Sequence, residues 1–366
     1  MTFDQCVTAV AKFDVTERQA RFLVTVMQHG GVCIPRQYAR FATRAYGHTV
    51  SRFFDKLVRR RWAVVCDCTH NRAQLYHVRH QALYRAIGEP DSRYRRPVST
   101  RLAIERLMVL DAMLESPDLS WLGTEAEKVA FFSQRAPTLP RECFPHKTVG
   151  PLPGRVRLFP DDLPIGVDGT GRVFFLYLVT TSIDLDLHAF VQRLSDLLRA
   201  LPAWTIRLVS PPDGAGLEAS ENTVRYELTN QLSPEIIRKL RWYFEQCRTT
   251  TDARALSYTD ENFWLAQAAF SAPQYRTLYR RWLSDGDRVF ELVSSPAIAR
   301  ALTQGAGRIE SRVLPFSYRH LSPLIEPGRS ASQGVEEGDT TPAQPRPPLS
   351  EPSRRLTSPL PAPPVQ

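Results

Sequence analysis

No apolar run in this 366-residue chain approaches the ~20 residues needed to cross a bilayer, which argues against a helical membrane protein. The opening M-T-F-D-Q-C lacks the charged and then apolar regions of a secretory signal, so the expectation is a soluble, cytoplasmic protein without membrane partners. Six cysteines without a repeated spacing fit a reducing compartment better than a disulfide framework. The sequence has no G-x-x-x-x-G-K-[ST], G-x-G-x-x-G, G-x-S-x-G or H-E-x-x-H, so the common nucleotide, hydrolase and zinc-protease signatures are missing. Its eight histidines show no H-x-H grouping of the kind a relaxase needs beside its tyrosine, and no long internal repeat is visible. RNP-type aromatics and a helix-flanked G-x-x-G loop are also absent, which removes the usual single-strand RNA modules.

Acidic residues are scarce in one place above all. Between Arg36 and Arg96 stand fourteen Arg or Lys and only Asp55, Asp67, Glu89 and Asp91, so this segment carries +10 while the whole chain carries +9. Charge confined in this way is the footprint of a polyanion, because neutralising phosphates releases counterions. The segment also has a pattern. Thr16–Gly30 opens on a capping residue and spaces Ala20, Leu23, Val24 and Met27 as a helix before a Gly-Gly stop. Pro35 suits the first position of a second, short helix closed near Gly47. A third helix puts Val50, Phe53, Phe54, Leu57 and Val58 on one side and a basic face on the others.

Two β-type runs, Trp62–Cys66 and Gln74–Val78, flank the polar turn D-C-T-H-N-R and read as a hairpin. Three helices and a hairpin make a winged helix-turn-helix, whose third helix enters the major groove of duplex DNA. On that reading His48, Thr49, Ser51, Arg52 and Lys56 face DNA, with His70, Asn71 and Arg72 on the wing. Arg52 is placed to read a guanine, and Lys56, Arg59 and Arg60 to hold phosphates. The plainer alternative is a solvated basic helix, or a winged helix that docks a protein. Cys66, Cys68, His70, His77 and His80 raise a zinc reading, but C-x-C-x-H on a strand is not the C-x2-4-C knuckle of structural zinc; neither metal nor cofactor is expected.

Past the basic connector at residues 92–98, Ser99–Glu115 and Thr124–Gln134 read as helices. Three strand-like runs follow from Gly154 to Val179, the last, V-F-F-L-Y-L-V, hydrophobic enough to be buried on both faces. A helix near 185–201 and the strand W-T-I-R-L-V-S complete the order of a restriction-endonuclease-like core. Beyond Pro211 the reading is helical to about residue 325, and from Pro327 the composition is that of a disordered tail. The domain expectation is therefore an α+β chain: winged helix-turn-helix at 14–96, connecting helix at 97–123, nuclease-like α/β core at 124–212, helical region at 213–325 and tail at 326–366.

With T-E-R-Q opening the first helix, a basic connector, and F-P-D-D at 159–162 before a hydrophobic strand and helix, the chain resembles the replication-relaxation family of plasmids and integrative elements over residues 14–210. The resemblance implies a bacterial mobile-element protein that binds DNA in replication, transfer or transcription control. It also implies acidic groups on the core strand, where this chain has Tyr177 and Val179 instead. Asp161 or Asp162 alone cannot hold the Mg²⁺ of phosphodiester hydrolysis, and Asp184 and Asp186 are explained by helix capping. The expectation is a nuclease-like scaffold without catalytic residues. The alternatives are an assembly factor that docks a relaxase or replication initiator, and a metal-dependent nuclease with an atypical site; a homodimer is compatible with any of these.

Overall fold

The computed structural model describes residues 1–321 apart from 44, 46, 69–73, 150–154, 160–162, 181–184, 213, 215, 230–231, 250–260, 294 and 319–320. The mixed α and β chain begins with α1 (Phe3–Ala11) and α2 (Glu17–His29), each opened by a capping box, Thr2 with Gln5 and Thr16 with Gln19. Then come β1 (Val32–Cys33), α3 (Pro35–Phe41), α4 (His48–Arg59), β2 (Ala63–Asp67), β3 (Gln74–Val78) and α5 (Gln81–Ala86). The strands form a sheet of order β1-β3-β2, all antiparallel. Its core is aromatic: the Tyr38 and Phe53 rings lie 4.4 Å apart and those of Phe54 and Tyr76 4.5 Å apart. Cys6, Val7 and Val10 of α1 join this core, so the N-terminal layer starts at Phe3, ahead of the expected boundary at residue 14. Gly31, at φ +73, turns the chain between α2 and β1; a Cβ there would stand 2.6 Å from the Tyr94 carbonyl oxygen.

Helix α6 (Thr100–Leu114), capped by Ser99, is buried around most of its circumference. On one side it meets Val32, Ile34 and Leu75 of the N-terminal layer, and on the other Leu176, Val209, Leu314 and Tyr318. The elements that follow are β4 (Ser120–Leu122), α7 (Glu125–Arg135), β5 (His146–Val149), β6 (Arg155–Leu158), β7 (Ile165–Val167), β8 (Val173–Leu178), α8 (Leu185–Ala200) and β9 (Trp204–Ser210). Helices α9 (Leu217–Thr229), α10 (Pro234–Thr249), α11 (Glu261–Ala269), α12 (Pro273–Asp285), α13 (Arg288–Val293) and α14 (Pro296–Thr303) lead to β10 (Gly307–Val313).

The larger sheet has the order β10-β9-β8-β7-β4, antiparallel from β4 to β8 and parallel from β8 to β10. Strand β8 is buried on both faces, as its composition requires: Val173 and Phe175 meet the α8 side, and Leu176 the α6 side. Two expectations need correction. Residues 213–325 are not wholly helical, because Gly307–Val313 forms an edge strand; its Glu310 side chain takes hydrogen bonds from the buried Arg207 at 3.1 and 3.2 Å instead of presenting an apolar face. R-V-R-L-F does not open the main sheet either. Arg155–Leu158 pairs with His146–Val149 in a separate ribbon, Val156 is 55% exposed, and β4 takes the outer place because Leu122 can pack opposite Ile165.

One polar network ties the two layers. The fully buried Asp111 carboxylate accepts a bidentate pair from Arg36 at 2.8 Å and a hydrogen bond from the Tyr318 hydroxyl at 2.5 Å. The Arg36 guanidinium also lies 3.8 Å from the Phe316 ring centroid, and Gln37 donates to the Leu107 carbonyl. Removing one partner of such a pair leaves an uncompensated buried charge. Urea denaturation should therefore show Asp111→Ala losing about 3 kcal/mol, and Tyr318→Phe, which keeps the ion pair, about 1.5 kcal/mol. Equal, small losses in both variants would show that the network does not hold the layers together.

Candidate nucleic-acid interface

Helix α4 is amphipathic because Val50, Phe53, Phe54 and Leu57 recur at helical spacing and are buried. The opposite face is therefore fixed outward: His48, Thr49, Arg52, Asp55, Arg59 and Arg60 are exposed and Ser51 is half-buried. Arg52 and Arg59 make no ion pair among the described residues. Asp55 sits between them at helical spacing and lowers the positive potential at the centre of this face.

Lys56 is placed differently from the sequence expectation. Its ammonium bonds the carbonyl and the carboxylate of Asp14, the latter at 3.0 Å, and Arg60 approaches the same carboxylate at 3.6 Å. The Lys56 hydrogen bond and charge hold the Asp14 carboxyl below its usual range. Lys56 thus fastens α4 to the α1–α2 junction, and its partner lies forty-two residues away in the chain.

The end of α4 carries a further cation. The Arg61 amide donates to the Val58 carbonyl and the Trp62 amide to the Leu57 carbonyl, the paired bonds of a helix-terminating turn whose pivot residue is usually glycine. Here the pivot is Arg61 at φ 57, exposed beside Arg59 and Arg60. Non-glycine residues in that conformation carry strain of about 1 kcal/mol. Sequence reasoning passed over Arg61; an R-R-R run at a helix end with no following glycine is the signal that could have found it.

The wing residues His70, Asn71 and Arg72 lie outside the described residues, as do Asp161, Asp162, Asp184 and the tail from Pro327. Asp186 is in the first turn of α8. Of the residues weighed for zinc, Cys66 is exposed, and His77 is buried with Nε2 2.7 Å from the Tyr94 carbonyl. Among the described residues no three His, Cys, Asp or Glu side chains are grouped to hold a metal. No described helix is long and apolar enough to cross a membrane.

A second feature has no counterpart in the sequence reading. A cleft of about 1150 Å³ opens between α6, α8, α12 and the carboxyl end of β8, and seven arginines and five carboxylates line it. His29, from the last turn of α2, faces it. The side chain is half-buried in the cleft wall, and the protein packed around it, aided by the Lys128 ammonium, pushes its pKa down to about 3. No family model, curated protein or solved structure matches this chain.

The His29 shift has a sign. The folded protein keeps the ring neutral while the unfolded chain takes up a proton below about pH 6.5, so stability is at its plateau above that pH and is lost as pH falls from there toward 3. Between pH 6 and 4.5, His29→Gln should make the fall in unfolding free energy shallower by about 1 kcal/mol per pH unit. Chemical denaturation of both proteins at stepped pH measures this, and parallel curves would contradict it.

Proposed function

We propose that this chain is a non-catalytic, double-stranded-DNA-binding accessory or regulatory protein of a bacterial mobile genetic element, with α4 as its reading helix. The order α2-β1-α3-α4-β2-β3 with the sheet β1-β3-β2 supports a winged helix-turn-helix reading, in which α4 would enter the major groove. Arg52, one turn into α4, is the base-reading candidate, while Arg59, Arg60 and Arg61 hold phosphates and Lys56 sets the helix orientation. The larger sheet supports a degenerate restriction-endonuclease-like reading through the α8 crossover between β8 and β9, with Tyr177 where the replication-relaxation resemblance puts an acid. The observation that carries the proposal is Arg61: a strained cation kept where glycine would relieve the turn.

Asp55 favours the second reading. A carboxylate at the centre of α4's outer face repels phosphate but suits a basic partner surface, such as that of a relaxase or replication initiator.

Salt-titrated binding to duplex DNA separates the two. For DNA binding the affinity should fall linearly on logarithmic axes with a slope nearer ~4 than the ~9 expected if all +10 charges of the segment met phosphate. Arg52→Ala should cost about 1–3 kcal/mol and relax specificity at one base pair. Arg61→Gly should raise stability by about 1 kcal/mol yet weaken binding to all sequences alike and reduce the salt slope by about 1. Binding that is absent or indifferent to salt would sink the DNA reading.

A further inference from the structure

The cleft between α6, α8 and α12 is a feature that α4 does not explain. It lies at the carboxyl end of β8, where the antiparallel part of the sheet gives way to the parallel part. Counted by charge, its lining has seven arginines against Glu105, Glu142, Asp186, Asp196 and Asp285, an excess of two. Some of that charge is internally compensated: Arg101 pairs with Glu105 at 3.0 Å and Arg281 with Asp285 at 3.3 Å. Arg280 is exposed and makes no ion pair among the described residues. Tyr177, half-buried with its ring 4.8 Å from that of Phe190, supplies an aromatic surface at the strand end, and the exposed Leu102 lies on the α6 side.

The cleft is also joined to the end of α4. The Trp62 carbonyl next to Arg61 accepts the Arg79 amide at 3.1 Å, and the Arg79 carbonyl accepts Arg95 Nε at 3.4 Å. Two residues before Arg95, Arg93 lines the cleft and lies 5.5 Å from the Tyr94 ring centroid, with Arg106 4.9 Å from the same ring. A chain of hydrogen bonds thus runs from the residue after Arg61, through the Arg79 backbone and Arg95, to the Arg93–Tyr94 segment at the cleft. A cavity of about 1150 Å³ exceeds the ~300–1,000 Å³ of usual small-ligand pockets, so it has room for several nucleotides.

We propose that the cleft receives a single-stranded segment of nucleic acid continuous with the duplex held at α4, its phosphates met by Arg280 and the neighbouring arginines and a base laid on Tyr177. The continuity rests on the duplex-binding reading above; the cleft's affinity for a single strand does not. Such sites combine a cationic groove with an aromatic platform and are tolerant of sequence.

The test compares three probes on the full chain: a blunt duplex, the same duplex with a single-stranded overhang of about six nucleotides, and a free nucleoside monophosphate. The overhang should tighten binding by about fivefold or more, and Arg280→Glu should abolish that gain while leaving blunt-duplex affinity within about twofold. Photocrosslinking from a 4-thiothymidine in the overhang should label the peptide holding Tyr177 in the wild type, a readout that does not depend on any variant. No gain from the overhang, a gain that survives Arg280→Glu, or crosslinks confined to α4 would overturn the proposal. Full competition by the free monophosphate would also overturn it in favour of a small-nucleotide pocket. If the blunt duplex fails to bind but the overhang strand alone still crosslinks at Tyr177, the α4 reading fails and the cleft stands.

Discussion

A carboxylate placed where water cannot reach it costs several kcal/mol unless its charge and lone pairs are met, and Asp111 is placed so. Its partners come from residues 36 and 318, far from it in sequence in both directions, so the pair forms only when the N-terminal layer, α6 and the segment after β10 arrive together. The geometry is unforgiving: the bidentate Arg36 contact fixes two distances at once, and Phe316 covers the guanidinium. Because Arg36 lies in the first turn of α3, directly before α4, this constraint sets how α4 is carried on the rest of the molecule.

Helices were legible where a cap and an apolar stripe agree. Thr16, Ser99, Thr124 and Ser233 each precede a helix, and each side chain accepts the expected amide. Helix α1 carried the same signal in T-F-D-Q, its capping box, and was readable on the same grounds. The strands divide differently. V-F-F-L-Y-L announces a doubly covered strand by composition, but β1 has two residues and β10 alternates arginine and glutamate with Ile309 and Ser311, a pattern that periodicity cannot tell from a loop. Strand pairing was the harder quantity. R-V-R-L reads correctly as a strand, yet nothing in those four residues says that their partner is His146–Val149.

The same limit governs the site. The outward face of α4 follows from local spacing, so His48, Thr49, Arg52, Arg59 and Arg60 fall where the wheel puts them. Lys56 has an equally exposed position on the wheel and is diverted by Asp14, which a helical pattern cannot see. The cleft is the extreme case, since its lining runs from His29 to Arg288 and contains no motif at all. Tyr177, read from sequence mainly as an acid that is missing, acquires a surface and a neighbour only in three dimensions.

Charge counted along a chain also differs from charge that a ligand can meet. Arg36 pairs with Asp111 on α6 and Arg40 with Glu115 at its end, so two cations of the basic segment are neutralised within the fold. Lys56 and Arg60 share Asp14 on its flank. At physiological salt, where screening acts within ~8 Å, these pairs contribute little to the field felt by an approaching polyanion. What remains outward is a short row, Arg52, Arg59, Arg60 and Arg61, interrupted by Asp55 and with Arg60 partly held by Asp14. A row so short holds a duplex by few phosphates, and a second cationic surface in the cleft, where Arg280 is exposed, is the physical means by which the same molecule could gain affinity without enlarging the first.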